Sequence, residues 1–177
     1  IMKRITLLIL AMVAIMFAGE GSGEQFPDFT LENIAGDDIA FSDLLGEKPV
    51  VITFWATWCK PCVKELKAFK PHFEELKDKI HFVAINEDGP RSRGKVKPFA
   101  KKEGFAYEML YDKNGEVKMK AGVSDIPHFF LLDKDGNIVY RHPGFKTGDE
   151  KESLEAIEAL LKTAASEEAT PEATVEE

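Results

Sequence analysis

The sequence predicts one layered α/β domain built on a mixed sheet, and three observations predict it. Residues 50–55 and 80–85 are near-continuous apolar runs, as in strands covered on both faces. Between them lies an amphipathic helical pattern over residues 59–79, which makes a strand–helix–strand unit. Residues 128–132 and 137–141 then form a hairpin pattern around Asp133-Lys134-Asp135-Gly136. A length of 177 residues fits a single domain with little left over.

The elements follow in order. Met2-Lys3-Arg4 precedes an apolar run over residues 5–18, then the small residues Ala18 and Gly19. Residues 1–23 therefore read as a secretory signal peptide or, if retained, an N-terminal anchor; the run is shorter than the roughly 20 residues of a spanning helix. Residues 29–31 and 39–41 are β-prone and flank Ala35-Gly36-Asp37-Asp38, an N-terminal hairpin. Residues 42–46 make one capped helical turn ended by Gly46. In the 59–79 helix, Val63, Leu66, Phe69, Phe73 and Leu76 recur in steps of three and four, and Pro71 predicts a kink or a break. A strand at 80–85 leads to a polar loop at 86–93 and a helix at 95–103 capped by Gly104. A short strand at 107–111, a helical turn at 116–120 and the closing hairpin come next. Residues 150–161 form the last helix, with Leu154, Ile157, Leu160 and Leu161 on one face. Residues 163–177 hold five Glu, no Lys or Arg and one large apolar side chain, Val175, and are expected to be a disordered acidic tail. The folded domain is thus placed at 24–162.

Composition narrows the function. An apolar fraction of 44% and a charged fraction of 31% exclude collagenous, fully disordered and multi-span membrane chains. A net charge of −8 argues against a phosphate backbone as the main partner, so no nucleic acid is expected. Two cysteines are too few for a disulfide scaffold or an all-cysteine zinc site.

Those two are Cys59 and Cys62, in the run Cys59-Lys60-Pro61-Cys62 that follows a strand and opens a helix. The first helical turn has unpaired N–H groups and a partial positive charge, which stabilise a thiolate. Pro61 has no N–H to lose and a preset φ, and Lys60 adds a positive charge. The two-residue spacer lets both sulfurs meet across one turn. Cys59 is expected to attack a substrate disulfide and Cys62 to resolve the mixed disulfide. A purely structural bridge closes too small a loop to constrain much. A metal site lacks partners, because His72, His81, His128 and His142 show no paired spacing. No metal and no organic cofactor are expected, since the cysteines carry the electrons.

The run Phe54-Trp55-Ala56-Thr57-Trp58-Cys59-Lys60-Pro61-Cys62 resembles the active-site signature of the thioredoxin superfamily. The N-terminal hairpin ending in Phe41-Ser42-Asp43-Leu44, a Glu three residues after the second Cys, and Gly122-Val123-Ser124-Asp125-Ile126-Pro127 resemble its TlpA/ResA branch. The resemblance implies a thioredoxin-like three-layer fold, with a mixed central sheet, helices on both faces and an N-terminal β-hairpin. It also implies an exported protein, in the periplasm or on the outer face of the cytoplasmic membrane. The activity implied is thiol–disulfide oxidoreduction, more often reduction, in the service of cytochrome c maturation. The expected partners are a protein disulfide such as an apocytochrome and a membrane thiol donor, and a monomer is expected.

By position, Cys59 matches the exposed nucleophile and Cys62 the buried resolving thiol. Glu65 matches an acid placed under the active site, partly buried and with a raised pKa, which relays the Cys62 proton; otherwise it is a Glu that suits the first turns of a helix. Thr53 stands where ordinary thioredoxins carry a strand Asp. Pro127 matches a cis-proline that, with Ile126, presents backbone to substrate; otherwise it is a turn proline. Trp58 is expected to cover the nucleophile and touch substrate, and Trp55 to be core. His128 departs from the family's frequent Thr and either faces Cys59 or turns away. Lys67 replaces a frequent helix proline.

Two rivals follow from the same residues. A thiol peroxidase wants Thr three positions before its cysteine, where this chain has Ala56. A thioredoxin-fold copper-binding chaperone would use Cys59, Cys62 and His128, although such carriers space their cysteines one residue wider.

Overall fold

The structure, a computed structural model, describes residues 23–168. The signal or anchor segment, up to residue 22, lies outside the described residues. Among the described residues no helix is long and apolar enough to cross a membrane.

Seven strands form one sheet in the order β2-β1-β5-β4-β3-β6-β7. They are β1 (Thr30–Asn33), β2 (Asp38–Ala40), β3 (Val50–Trp55), β4 (His81–Asn86), β5 (Glu108–Tyr111), β6 (His128–Leu132) and β7 (Ile138–Pro143). β3, β4 and β5 run parallel, and β1, β2, β6 and β7 extend the sheet with antiparallel pairs, so the sheet is mixed. The four α-helices of the described residues are α1 (Lys60–Leu76), α2 (Val96–Glu103), α3 (Glu116–Lys120) and α4 (Glu150–Glu168).

Period-two alternation on β3 splits its side chains between two cores. Val51 and Trp55 face a cluster that takes Leu66 and Phe69 from α1, Val96 and Ala100 from α2, and Ile157 from α4. Val50, Ile52 and Phe54 face the other side, with Phe26, Phe29, Phe41, Phe130 and Val117 of α3. Helices therefore cover both faces, and the three-layer thioredoxin-like arrangement is the one observed. Phe69 anchors the first cluster: its ring stacks on Phe129 at 5.3 Å and meets Phe82 at 5.4 Å. Phe69→Ala is expected to lower unfolding free energy by about 3–5 kcal/mol, read as a shift in the denaturant midpoint at unchanged slope.

The N-terminal hairpin joins the central sheet: β1 pairs with β5 through Glu32 opposite Tyr111 and Asn33 opposite Leu110. Two expectations change. Pro71 does not end its helix, which runs on to Leu76. The missing N–H forfeits one ladder bond, while Phe69 and Phe73 on either side remain packed in the same core. The last helix continues to Glu168, so the first six residues of the expected tail are helical. Thr163-Ala164-Ala165-Ser166 adds two alanines, the best helix formers, to a helix already docked by Leu154 and Ile157. Residues 169–177 lie outside the described residues.

Candidate active site

Cys59 ends the turn after β3 and is the N-cap of α1, with extended φ and ψ of −83° and 96°. Its sulfur accepts a hydrogen bond from the Cys62 N–H at 3.3 Å, which places it against the positive end of the helix. Cys59 and Cys62 are joined as a disulfide, with their Cα atoms 5.3 Å apart. Pro61 fills the second helical position, where no N–H is needed. Lys60 and Pro61 are exposed, Cys62 is fully buried and Cys59 retains 5% exposure. Trp58, one residue before the nucleophile, is 66% exposed, a large apolar ring held in solvent beside the disulfide.

The Ile126–Pro127 peptide is cis. The Ile126 carbonyl oxygen lies 3.7 Å from Cys59 Sγ, so the segment before β6 faces the disulfide. Pro127 itself is buried and Ile126 half-buried.

Glu65 lies one turn beyond Cys62 on the inner face of α1 and is 2% exposed. It is buried more fully than the sequence reading held. Thr53 points to the same side of β3 as Trp55 and donates from Oγ1 to Glu65 Oε2 at 2.6 Å. Burial pushes the Glu65 carboxyl up to about 8; the Thr53 bond opposes the rise and Asp149 adds to it. Tyr107 is buried nearby and donates to the Leu66 carbonyl at 2.6 Å, and burial and Glu65 raise its hydroxyl pKa.

His128 takes the second of its two expected positions. It opens β6 opposite Phe54, on the sheet face away from α1, and its ring stacks on Phe130 at 4.7 Å. Burial, and then the neighbouring Arg141 and His142, lower its pKa. Among the described residues, no group of three or more His, Cys, Asp or Glu is placed to hold a metal ion, so the copper ligand set of Cys59, Cys62 and His128 does not assemble here.

One network escaped the sequence reading. Asp88, assigned to a polar loop, is buried and accepts from the Thr57 N–H and Oγ1, both at 2.7 Å. Asn86 donates to the same carboxylate at 2.9 Å and accepts from the Asp88 N–H. Asp88 thus ties the turn carrying Trp58 and Cys59 to the end of β4. The legible signal was the parallel pairing, which sets Asn86 beside Trp55. Asp88→Ala leaves the Thr57 and Asn86 donors unpaired and is expected to cost about 1–3 kcal/mol for each one that water does not reach, read by chemical denaturation.

This fold and this disulfide define a thioredoxin-like thiol–disulfide oxidoreductase. The chain belongs to the AhpC/TSA family, whose model matches residues 22–141. It is 36% identical over 135 residues to the thioredoxin-like protein YneN of Bacillus subtilis, covering 76% of this chain and 78% of that protein. It is 34% identical over 134 residues to the thiol-disulfide oxidoreductase ResA of Bacillus thuringiensis subsp. konkukian, covering 75% and 74%. A solved thioredoxin-like protein from Porphyromonas gingivalis superposes with a TM-score of 0.68 at 37% identity, covering 80% of this chain and 95% of that one.

Proposed function

We propose that the chain is an exported reductant of protein disulfides, acting in cytochrome c maturation on an apocytochrome and recharged by a membrane thiol donor. The observation that carries this reading is the Cys59–Cys62 disulfide at the start of α1, with the Glu65 carboxyl buried beneath it. The likeness to ResA and the apolar run at residues 5–18 support it.

In the reduced protein the Cys59 thiolate attacks a substrate disulfide, forming a mixed disulfide and expelling the first substrate thiolate. Cys62 gives up its proton to Glu65 and attacks Cys59 Sγ. The second substrate thiolate leaves, and two electrons have passed to the substrate as Cys59–Cys62 forms. A carboxyl raised to about 8 holds a proton far more tightly than an ordinary carboxylate, which suits it to take one from a thiol and return it. Trp58 and the Ile126–Pro127 backbone flank the attacked sulfur and bind the substrate chain. No organic cofactor enters this cycle.

Direction is tested by the equilibrium potential of the Cys59/Cys62 couple against glutathione. A reductant has a value near that of thioredoxin, about −270 mV, whereas a value near about −120 mV belongs to an oxidant and would reverse the assignment.

A further inference from the structure

The cycle leaves the outer surfaces of α1 and α2 without a role, and their charge is out of keeping with the chain. Ten of its 23 Lys and Arg residues fall within positions 60–70 and 91–102, although the whole carries −8. α1 exposes Lys60, Lys64, Lys67 and Lys70, whose spacing of three and four residues lines them along one side of the helix. The one acid between Cys59 and Glu74 is Glu65, which is buried. The segment through α2 exposes Arg91, Lys95, Lys97, Lys101 and Lys102, with no acid between Asp88 and Glu103.

The two helices are neighbours. Lys67 pairs with Glu103 at 2.7 Å, and Lys70 Nζ donates to the Glu103 carbonyl at 2.9 Å. Among the described residues no ion pair holds Lys64, Lys97 or Lys101. Beside α2 a groove of about 730 Å³ is lined by Lys97 and Lys101, by Arg93 paired with Glu32, and by the apolar surfaces of Ile34, Pro90 and Tyr111. α1 also meets α4, which exposes Glu152, Glu155 and Glu158 together with Lys151 and Lys162, the last paired with Glu158. Unbalanced positive charge is therefore gathered on α1 and α2.

We propose that the strip from Lys60 across α1 to α2 is the docking surface for an acidic face of the protein that exchanges disulfides with Cys59. The proposal rests on the thiol–disulfide exchange reading above. A protein partner fits better than a bilayer because the strip begins at the residue next to Cys59. A membrane seated there would cover the sulfur, whereas a protein partner must bring its own sulfur to that point. Complementary charge raises the encounter rate and fixes the approach, and salt weakens both.

The test uses the reduced protein and two peptide disulfides of matched sequence, one flanked by Glu and one by Lys. The Glu peptide is expected to exchange at least about tenfold faster at low salt, with the advantage fading as salt rises. The triple variant Lys64→Glu, Lys97→Glu, Lys101→Glu is expected to reverse the preference, a gain for the Lys peptide that a misfolded protein would not show. Equal rates for the two peptides overturn the docking surface and leave the redox reading standing. If neither peptide exchanges, the redox reading fails, and fluorescence anisotropy with cysteine-free versions decides the surface: selective binding of the Glu peptide upholds it, equal binding overturns it. Binding of the wild type to phosphatidylglycerol vesicles without discrimination between peptides overturns it in favour of a membrane.

Discussion

Cys59→Ser is expected to reduce thiol–disulfide exchange to the level of a protein-free blank, because no other residue supplies a nucleophilic sulfur at the surface of the site. Cys62 is fully buried behind it and cannot take over the attack. Cys62→Ser is expected to behave differently. Cys59 still attacks, but nothing expels the second substrate thiolate, so the protein turns over once and stays bound to its substrate. Mass spectrometry of the products separates the two variants: a covalent adduct with Cys62→Ser and none with Cys59→Ser. An adduct with both variants, or with neither, would break the division of labour between the sulfurs.

Glu65→Gln carries the second large effect. The amide keeps the volume and can still accept the Thr53 hydroxyl, but it cannot hold or release a proton. Exchange is expected to slow by at least about tenfold, with loss of the inflection near pH 8 in the rate profile. Stability should also change its pH dependence. The folded carboxyl titrates near 8 and the unfolded one near 4.5, so between these values the folded state binds the extra proton. The contribution of Glu65 is fully present below pH 4.5 and is lost as pH rises through 8, amounting to a few kcal/mol. Glu87, raised to about 7 by burial and by Asp112, acts with the same sign over a lower window. His81 and His128, both lowered, act with the opposite sign only at acid pH. The upper part of the decline therefore belongs to Glu65. Thermal midpoints of the wild type should fall between pH 7 and 8 and level off above, while those of Glu65→Gln stay nearly level. A parallel fall in both proteins would show that Glu65 is not the group titrating.

Most of the fold was legible because its strong elements carry their periodicity locally. β3 and β4 announce themselves as apolar runs, and α1 as a three-and-four repeat. What escaped depends on contacts distant in sequence. The pairing of β1 with β5 joins residues some eighty positions apart and has no local signature. Of the kink or break expected at Pro71, the break does not occur, because one lost backbone bond is small against the burial of Phe69 and its neighbours. The acidic composition at the end of the chain concealed the alanines that carry α4 to Glu168.

The site divides in the same way. Cys59, Cys62 and Pro61 act through a helix start, which spacing reveals. Glu65 was legible from its place one turn past Cys62, but its partner Thr53 had been noted only as a missing acid. Asp88 looked like loop because its function, holding Thr57, exists only once β4 lies beside β3. His128 could not be oriented until the register of β6 set it opposite Phe54.

The most direct measurement is the pH dependence of alkylation at each cysteine of the reduced protein, followed residue by residue. The helix start and the Cys62 N–H should bring the Cys59 pKa below the about 8.5 of free cysteine and make it the first sulfur modified at neutral pH. Equal rates at the two cysteines, with Cys59 titrating at or above that value, would contradict the account.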